Sequence, residues 1–483
     1  MSGLERPRVA LATSRLRAAL VALALAATAC ADRVTQPNAR PGAGSAAQFD
    51  VHGNWGQRGR LVEATLVQTI DQSTVAGAIR AAVAQNEPGL PAASKTAIQE
   101  SAVAAFETHY DIEQWSIKYT TVGVHGELVV VSAGIYLPAG ATEPLPLVSV
   151  SHGTLTQKSN VPSNTGIIAQ GIGHASHGSV AVFADYIGMG TDAGDFPPYL
   201  VADVGATTSL DALRATRQLL QDKGLSLDGR LFLSGYSQGG QVAMALARLI
   251  ESDPRSRFRV TAAAPAAGPY DLYGSARNGF SRTTPYVPLS IYVIYGVSAL
   301  NATYGIADRL DELLTPSAAA IGEKLLTAGM TQAELVASVP KIGSQAMQPD
   351  VLNAFLCSDE TPTFCDPNAP ARAVQLAAGL ADALKANQTY DWLPTAPLRM
   401  YFGEVDMDVP PTNAPMTAEH MHALGASLTD VTFEVLSGPA GEKLNHGTAL
   451  WPSIISSRIW FDSFPTPVTS DDLAAGSLAV AVP

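Results

Sequence analysis

The chain has 483 residues, of which 47% are hydrophobic and only 15% are charged, and its formal net charge is −13. This hydrophobic content is enough for a large core, and the length allows one elaborated domain or two to three ordinary ones. The excess of acidic residues argues against nucleic acid or anionic lipid headgroups as the main partner, because both would be repelled by such a surface.

The first 29 residues have the composition of a signal peptide. Basic residues precede an apolar stretch at 18–29, which is too short to span a bilayer. The stretch ends in Ala27-Thr28-Ala29-Cys30, which resembles the bacterial lipobox with alanine in place of its usual leucine, so Cys30 is the predicted lipid-modified first residue. A conventional Ala-x-Ala cut at the same place is the alternative. Residues 30–50 are predicted to be a flexible tether, and the protein is expected at the cell envelope, or otherwise secreted or periplasmic.

The hydrophobic pattern that follows predicts an α/β protein. Two helical segments come first, and two alternating strands then pair around a short turn. Six apolar runs separated by helical stretches are typical of a mostly parallel sheet covered on both faces. The predicted strands are 115–122, 127–136, 147–150, 180–184, 230–234, 260–264, 398–402 and 431–436, and the predicted helices include 72–85, 93–110, 204–223, 238–251 and 449–461.

Residues 269–387 break this alternation. Their helix-like pieces, at 307–314, 318–328 and 331–339, predict a mainly helical cap or lid over the carboxyl ends of the strands, inserted between core segments 51–268 and 388–483. Cys357 and Cys365 lie in this insertion and are predicted to form one local disulfide in an oxidising compartment. A metal site with two thiolates is the alternative, but no histidine lies nearby.

Ser237 lies in the pattern Gly-x-Ser-x-Gly, between a predicted strand and a predicted helix. A serine on so tight a turn needs glycine at 235 and 239, where any side chain would collide. The turn also places Ser237 at the N-terminus of a helix, whose free N–H groups favour developing negative charge. Serine is a weak nucleophile at its own pKa, so it needs a base and an acid that orients the base.

Candidates for both partners follow predicted strands downstream. Asp406 and Asp408 lie on the loop after strand 398–402, and His446 lies on the loop after the next strand. The order Ser, Asp, His is the one expected of the α/β-hydrolase arrangement. The Gly-x-x-Asp spacing favours Asp406 as the orienting acid. Asp408 is the alternative, or else a carboxylate that caps a turn.

Taken together, these motifs resemble those of the α/β-hydrolase superfamily, and within it the exported serine esterases and lipases of the secretory-lipase and lysophospholipase-like kind. The resemblance implies a mostly parallel central sheet flanked by helices, with an inserted, mainly helical cap. The segments that carry it are His152-Gly153-Thr154, Asp185-Tyr186-Ile187-Gly188-Met189-Gly190, the Ser237 turn, Gly403-x-x-Asp406-x-x-Val409-Pro410 and His446.

The resemblance also implies a carboxylic-ester hydrolase that works through an acyl-enzyme. Ser237 would attack the acyl carbon, His446 would transfer the proton, and Asp406 would hold the imidazole. The backbone N–H groups of Thr154 and Gln238 are the expected oxyanion hole. Neither a cofactor nor a metal ion is required. The expected partner is a small-molecule or lipid ester, with no nucleic acid bound and the membrane contacted only through the predicted lipid anchor.

Other functions stay open at this point. A serine peptidase of the prolyl-oligopeptidase type uses the same fold and triad, although no blade-length repeat precedes residue 147. A binding protein that has lost activity would usually have a degraded triad, whereas all three side chains are present here.

His174 and His177 are expected to be loop-surface histidines rather than metal ligands. Residues 286–295, apolar and aromatic, either line an acyl pocket or form the core of the cap.

Overall fold

A computed structural model of the protein describes residues 56–86, 89–166, 168–192, 194–357 and 368–466. The predicted signal peptide (1–29), Cys30, the tether (30–50) and Cys365 lie outside these residues. Lipidation of Cys30 and the disulfide between Cys357 and Cys365 therefore stay predictions. Within the described ranges, no helix is both long and apolar enough to cross a membrane.

A single mixed sheet runs through the described chain. Its strands are β1 (Leu61–Ile70), β2 (Ile112–Val122), β3 (Leu128–Pro138), β4 (Leu145–Ser151), β5 (Val180–Ala184), β6 (Leu227–Tyr236), β7 (Ala262–Ala266), β8 (Leu398–Gly403) and β9 (Val431–Leu436). Their spatial order is β1-β2-β3-β5-β4-β6-β7-β8-β9. The first three pairings are antiparallel, and every pairing from β5 to β9 is parallel. The predicted strands are confirmed, with ends that differ by up to three residues.

Helices cover both faces of the sheet, as the apolar runs predict. They are α1 (Val75–Asn86), α2 (Ala92–Ala105), α3 (Ala169–Ser176), α4 (Ala202–Asp222), α5 (Gln238–Ser252), α6 (Leu272–Ser281), α7 (Val287–Tyr304), α8 (Pro316–Thr327), α9 (Gln332–Ser338), α10 (Pro349–Cys357), α11 (Ala371–Ala386), α12 (Asn413–Ala423) and α13 (Leu450–Asp462). Adjacent residues of one strand point to opposite faces. On β4, Leu147 belongs to the core cluster that includes α4 and α5, whereas Val148 belongs to the cluster that includes α1, α2, α3 and α13.

The chain between β7 and β8, residues 267–397, is called the insertion below. Its described part holds α6 to α11 and is mainly helical, as predicted. The predicted helix at 307–314 is wrong. Only Leu310–Glu312 forms a helical turn there, and the backbone at Leu314 pairs with Met347. The predicted limits of the cap, 269 and 387, stay a prediction.

Helix α3 corrects the prediction for His174. His174 lies on this helix, is only 2% exposed and packs edge-on against Phe106. His177 follows the helix directly, with its Nδ1 atom 2.9 Å from the backbone carbonyl of Glu107. Gly173 lets the ring of Phe106 approach the helix, where a Cβ atom would collide with it. The glycine-rich segment is therefore a packed helix and not a surface loop.

Candidate active site

Ser237 occupies a strained turn between β6 and α5. Its backbone has φ 61° and ψ −122°, a conformation that residues other than glycine rarely adopt. The N–H group of Ser237 donates to the carbonyl of Ala266 at 2.9 Å, which anchors the turn to β7. A Cβ atom on Gly235 would collide with the carbonyl of Gly239, and one on Gly239 with the backbone of Ser151. Both glycines are therefore required for the turn.

The carboxyl ends of the parallel strands bring the other candidate residues to the same edge of the sheet. The segment 152–154 follows β4, Ser237 follows β6, Asp406 and Asp408 follow β8, and His446 follows β9. A Cβ atom built on Gly153 would lie 3.8 Å from the Cβ atom of Ser237, so the loop after β4 passes beside the serine.

The imidazole of His446 is held by Asp406. Nδ1 of His446 lies 2.6 Å from Oδ2 of Asp406, whose side chain is 1% exposed. The other oxygen of Asp406 accepts the N–H groups of Asp408 and Val409, at 2.8 Å and 2.9 Å. These bonds fix the direction in which the carboxylate points. The ring of Tyr236 flanks the imidazole at 5.1 Å, and its hydroxyl donates to the carbonyl of His446 at 2.5 Å.

Asp408 lies beside Nε2 of His446, on the side of the imidazole opposite to Asp406. Its Oδ2 atom lies 3.8 Å from Nε2 of His446, and its oxygens accept the hydroxyls of Tyr286 and Tyr292. The turn-capping role considered for Asp408 is wrong, because the carboxylate that accepts the N–H groups of this turn belongs to Asp406.

Three effects of the surroundings act on the pKa of His446. Burial disfavours the charged imidazolium and by itself lowers the pKa. The hydrogen bond that His446 donates to Asp406 and the negative charges of Asp406 and Asp408 act in the opposite direction and prevail, so the pKa of His446 is raised above its ordinary value. The two carboxylates therefore favour proton uptake by this histidine.

The amides expected to form an oxyanion hole are available. Within the described residues, neither the N–H group of Thr154 nor that of Gln238 has a recorded hydrogen-bond partner. Gln238 is the first residue of α5, where helix geometry leaves the N–H group free. The side chain of Thr154 is fixed by a 2.8 Å hydrogen bond with the hydroxyl of Tyr199. His152 packs on Tyr186 with ring centres 4.1 Å apart, and burial lowers its pKa.

The hydroxyl of Ser237 makes no recorded hydrogen bond with His446 within the described residues. In ligand-free active sites such bonds are commonly long or poorly aligned and form only in the complex. The structure thus brings Asp406 and His446 into direct contact and places Ser237 at the same edge of the sheet, next to Tyr236.

A cleft of about 730 Å³, its open mouth included, leads from Ser237 into the insertion. Helices α6, α7 and α11 contribute most of its walls, which are largely apolar. Near Ser237, its polar groups are Gln238, Tyr199, Tyr292 and Asp408. The other lining residues are Leu200, Pro269, Leu272, Ser275, Ala276, Gly279, Phe280, Leu289, Val293, Gly296, Val297, Leu300, Leu380, Leu384 and Val409.

The run 286–295 lines the cleft and also contributes to the buried core. It begins at Tyr286 and continues into α7, where Leu289, Tyr292 and Val293 line the cleft. On the same helix Ile294 and Tyr295 are buried in the core of the insertion. Because a helix presents different faces every few residues, one run can line a pocket and fill a core.

The strand order, the serine turn after β6 and the loops after β8 and β9 define the α/β-hydrolase fold. Solved structures with this fold resemble the chain. The rice cell wall degrading esterase LipA from Xanthomonas oryzae has a TM-score of 0.69 and 23% identity, over 84% of this chain and 100% of the esterase. A Legionella pneumophila protein named as a hydrolase has a TM-score of 0.69 and 22% identity, over 84% of this chain and 98% of its own.

Lipase A from Candida antarctica, in its closed state, is also similar. It has a TM-score of 0.55 and 16% identity, over 88% of this chain and 89% of the lipase. No protein-family model matches the sequence, and no curated protein matches it either. At these identities the likeness establishes the fold alone.

The contacts that three tyrosines make with His446 and Asp408 were not predicted from the sequence. Tyr236 fills the variable position before Ser237, and nothing in the motif indicates its bond to His446. Tyr286 and Tyr292 belong to the aromatic run at 286–295, which was the only available signal. Their contact with Asp408 joins residues more than a hundred positions apart, so no local pattern could have predicted it.

Proposed function

We propose that the protein is a serine carboxylic-ester hydrolase that acts through an acyl-enzyme. Ser237 is the nucleophile, His446 the general base and acid, and Asp406 the acid that orients the imidazole. The observation that carries the proposal is the strained turn of Ser237 at the sheet edge where Asp406 holds His446 at 2.6 Å. Strain of this kind persists where the surrounding structure enforces it, which is typical of catalytic positions.

In the first half of the reaction, the Oγ atom of Ser237 attacks the acyl carbon of the ester while Nε2 of His446 takes its proton. Asp406 favours the resulting imidazolium through Nδ1. The oxygen of the tetrahedral intermediate faces the N–H groups of Thr154 and Gln238, each worth about 2.7–4 kcal/mol in comparable sites. The intermediate then collapses, the bond to the alcohol oxygen breaks, and the alcohol leaves with the proton from His446.

In the second half, water replaces the alcohol. His446 takes a proton from the water while the water oxygen attacks the acyl carbon. The N–H groups of Thr154 and Gln238 again face the negative charge on the oxygen of the tetrahedral intermediate. Collapse of this intermediate returns the proton to Oγ of Ser237 and releases the carboxylic acid. Every proton is thus carried by His446, and the residues present supply each step without a cofactor.

The cleft supports an acyl chain as the group bound beside the serine. Its walls are largely apolar and include leucine, valine and phenylalanine side chains from the insertion, and apolar surface removed from water stabilises a bound hydrocarbon chain by about 25 cal/mol per Å². A peptide would leave its backbone N–H and carbonyl groups without partners against such walls. This difference favours an ester with an apolar acyl group over a peptide substrate.

Replacement of Ser237 by alanine tests the proposal. The variant is expected to lose turnover of p-nitrophenyl esters and labelling by a fluorophosphonate probe, while its circular dichroism spectrum stays that of the wild type. Ser252→Ala, at the opposite end of the same helix, is the matched control and should keep both activities, because Ser252 is exposed and its hydroxyl bonds the carbonyl of Leu249. Unchanged turnover in Ser237→Ala would remove the proposal, and a folded wild type that fails to label would favour an inactive binding protein.

A further inference from the structure

Asp408 lies where the loop after β8 meets both the histidine and the insertion. Its side chain is 8% exposed, and Oδ2 lies 3.8 Å from Nε2 of His446. The same oxygen accepts the hydroxyl of Tyr292 at 2.8 Å, and Oδ1 accepts the hydroxyl of Tyr286. A carboxylate so enclosed requires donors, and the insertion supplies both of them.

The two tyrosines keep their protons. Burial, followed by the negative charge of Asp408, raises the pKa of Tyr286 and of Tyr292 far above the ordinary value, so both hydroxyls stay donors at any working pH. A further bond joins the same segments, since the guanidinium of Arg282 donates to the carbonyl of Met407 at 2.6 Å. The loop that carries Asp408 is thus tied to the insertion at two successive residues.

The groups that face His446 define its electrostatic surroundings. Asp406 faces Nδ1, Asp408 faces Nε2, and the ring of Tyr236 flanks the imidazole. The other titratable or charged groups near Asp408 are its two tyrosine donors, Tyr199 and Arg282. Asp408 is therefore the charged group placed beside the nitrogen that exchanges protons with the serine.

We infer that Asp408 is a positioning residue for the reaction, acting through His446. Held by Tyr286 and Tyr292, Asp408 stabilises the imidazolium of His446 from the Nε2 side. Because both tyrosines belong to the insertion, the protonation of His446 depends on the position of the insertion relative to this loop. Asp408 itself gains no proton. When the proton of Ser237 moves to Nε2, the carboxylate of Asp408 lowers the free energy of the doubly protonated His446. This stabilisation ends when the proton leaves with the alcohol. The inference rests on the role proposed for His446.

Replacement of Asp408 by asparagine keeps the shape and removes the charge. Since only neutral His446 can act as a base, kcat/KM falls as pH drops through its pKa. Loss of a negative charge beside Nε2 lowers that pKa, so the acidic limb for p-nitrophenyl butyrate is expected to move down by at least about half a pH unit. The single variant Tyr292→Phe should move the acidic limb in the same direction. When Tyr292→Phe is added to Asp408→Asn, the limb should move no further than in Asp408→Asn alone.

Glu404→Gln is the matched control. Glu404 lies on the same loop and pairs with Lys443, but its side chain is 52% exposed and faces solvent rather than the histidine. The control removes one negative charge and is expected to leave the limb in place. A shift of equal size in this variant would show that net charge alone is responsible, and would overturn the inference.

A second readout does not depend on turnover. NMR titration of protein labelled at histidine, with the His446 signal assigned by its loss in His446→Asn, measures the pKa of this ring directly. A lower pKa in Asp408→Asn supports the inference, and an unchanged one overturns it. If that variant does not fold, the double variant of Tyr286 and Tyr292 to phenylalanine takes its place under the same two outcomes. Persistent ester turnover in Ser237→Ala would remove the proposed function but leave this titration decisive.

Discussion

Nδ1 of His446 and Oδ2 of Asp406 lie 2.6 Å apart, although 40 residues separate them in the chain. The contact forms because β8 and β9 are parallel neighbours, so the loops that follow them leave the sheet at the same edge. Asp406 is directed toward the ring by two N–H groups of its own turn. The imidazole is thereby oriented with Nε2 turned away from Asp406.

Asp406→Asn is expected to lower kcat for p-nitrophenyl esters by about 10⁴-fold, because the amide can donate to Nδ1 and so favours the wrong tautomer of the imidazole. The fold should persist, since an amide oxygen still accepts the N–H groups of Asp408 and Val409. Steady-state kinetics with a circular dichroism spectrum measures both effects. A loss in Asp408→Asn as large as that in Asp406→Asn would contradict the assignment of Asp406 as the orienting acid.

Gly296→Leu is expected to shorten the acyl chain that the protein accepts. Gly296 lies on α7 and lines the cleft, and a Cβ atom there would make an ordinary contact, 3.6 Å from Leu200. A leucine side chain would extend into the cleft, so kcat/KM for a p-nitrophenyl dodecanoate should fall at least about tenfold relative to the butyrate.

Gly296→Ala is the control for this change. It adds only the tolerated methyl group and should leave the ratio of the two esters nearly unchanged, while it stabilises the helix by up to about 1 kcal/mol. Equal losses with both esters in Gly296→Leu would mean that the cleft does not hold the acyl chain.

Asp185 is expected to make stability depend on pH. Burial raises its pKa to about 6, although hydrogen bonds from Ser132 and Ser163 act in the opposite direction. The folded protein therefore binds this proton more tightly than the unfolded chain, whose aspartates titrate near pH 4. Stability from this group is fully present below about pH 4 and is lost as the pH rises through about 6.

Asp185→Asn removes that dependence, because the amide is neutral at every pH. Between pH 4 and pH 7, the free energy of unfolding of the variant measured in urea should rise relative to that of the wild type by on the order of 2 kcal/mol. Asp222→Asn, at an exposed position, should show no such trend. A difference between Asp185→Asn and the wild type that stays constant with pH would contradict the raised pKa.

Cys30→Ala tests the predicted lipid anchor. Expressed with its own signal, the wild type is expected in the detergent-soluble membrane fraction, because acyl chains on Cys30 insert into the bilayer. The variant should move to the aqueous fraction with its turnover of p-nitrophenyl esters equal to that of the wild type. Persistence of the variant in the membrane fraction would contradict lipid anchoring at this cysteine.

Buried strands were the easiest elements to predict. Residues 180–184 form β5 with the expected limits, because a short apolar run between turns is typical of a strand buried on both faces of a parallel sheet. Residues 431–436 also form β9 with the expected limits, although β9 is an edge strand with three exposed residues. Strand β1 was missed. It is an edge strand with most of its side chains in solvent, and polar residues at 63, 65, 68 and 69 interrupt its apolar residues.

Helical periodicity was less reliable where tertiary packing decides the outcome. Glycine at 171 and 173 indicates a loop, yet α3 forms there because the rings of Tyr136 and Phe106 need the space that these glycines leave. Local patterns cannot contain this information, since the packing partners lie far away in the chain.

The sequence by itself determined the order of the motifs and the positions of Ser237, Asp406 and His446 beside strand ends, because these follow from local turn chemistry and hydrophobic pattern. Only the tertiary structure decided which carboxylate faces which nitrogen of the imidazole. Asp406 and Asp408 are two residues apart and chemically equal, and they differ only in what the fold packs against them. The backbone of its own turn holds Asp406 against Nδ1. Tyr286, which precedes α7, and Tyr292 on that helix hold Asp408 beside Nε2.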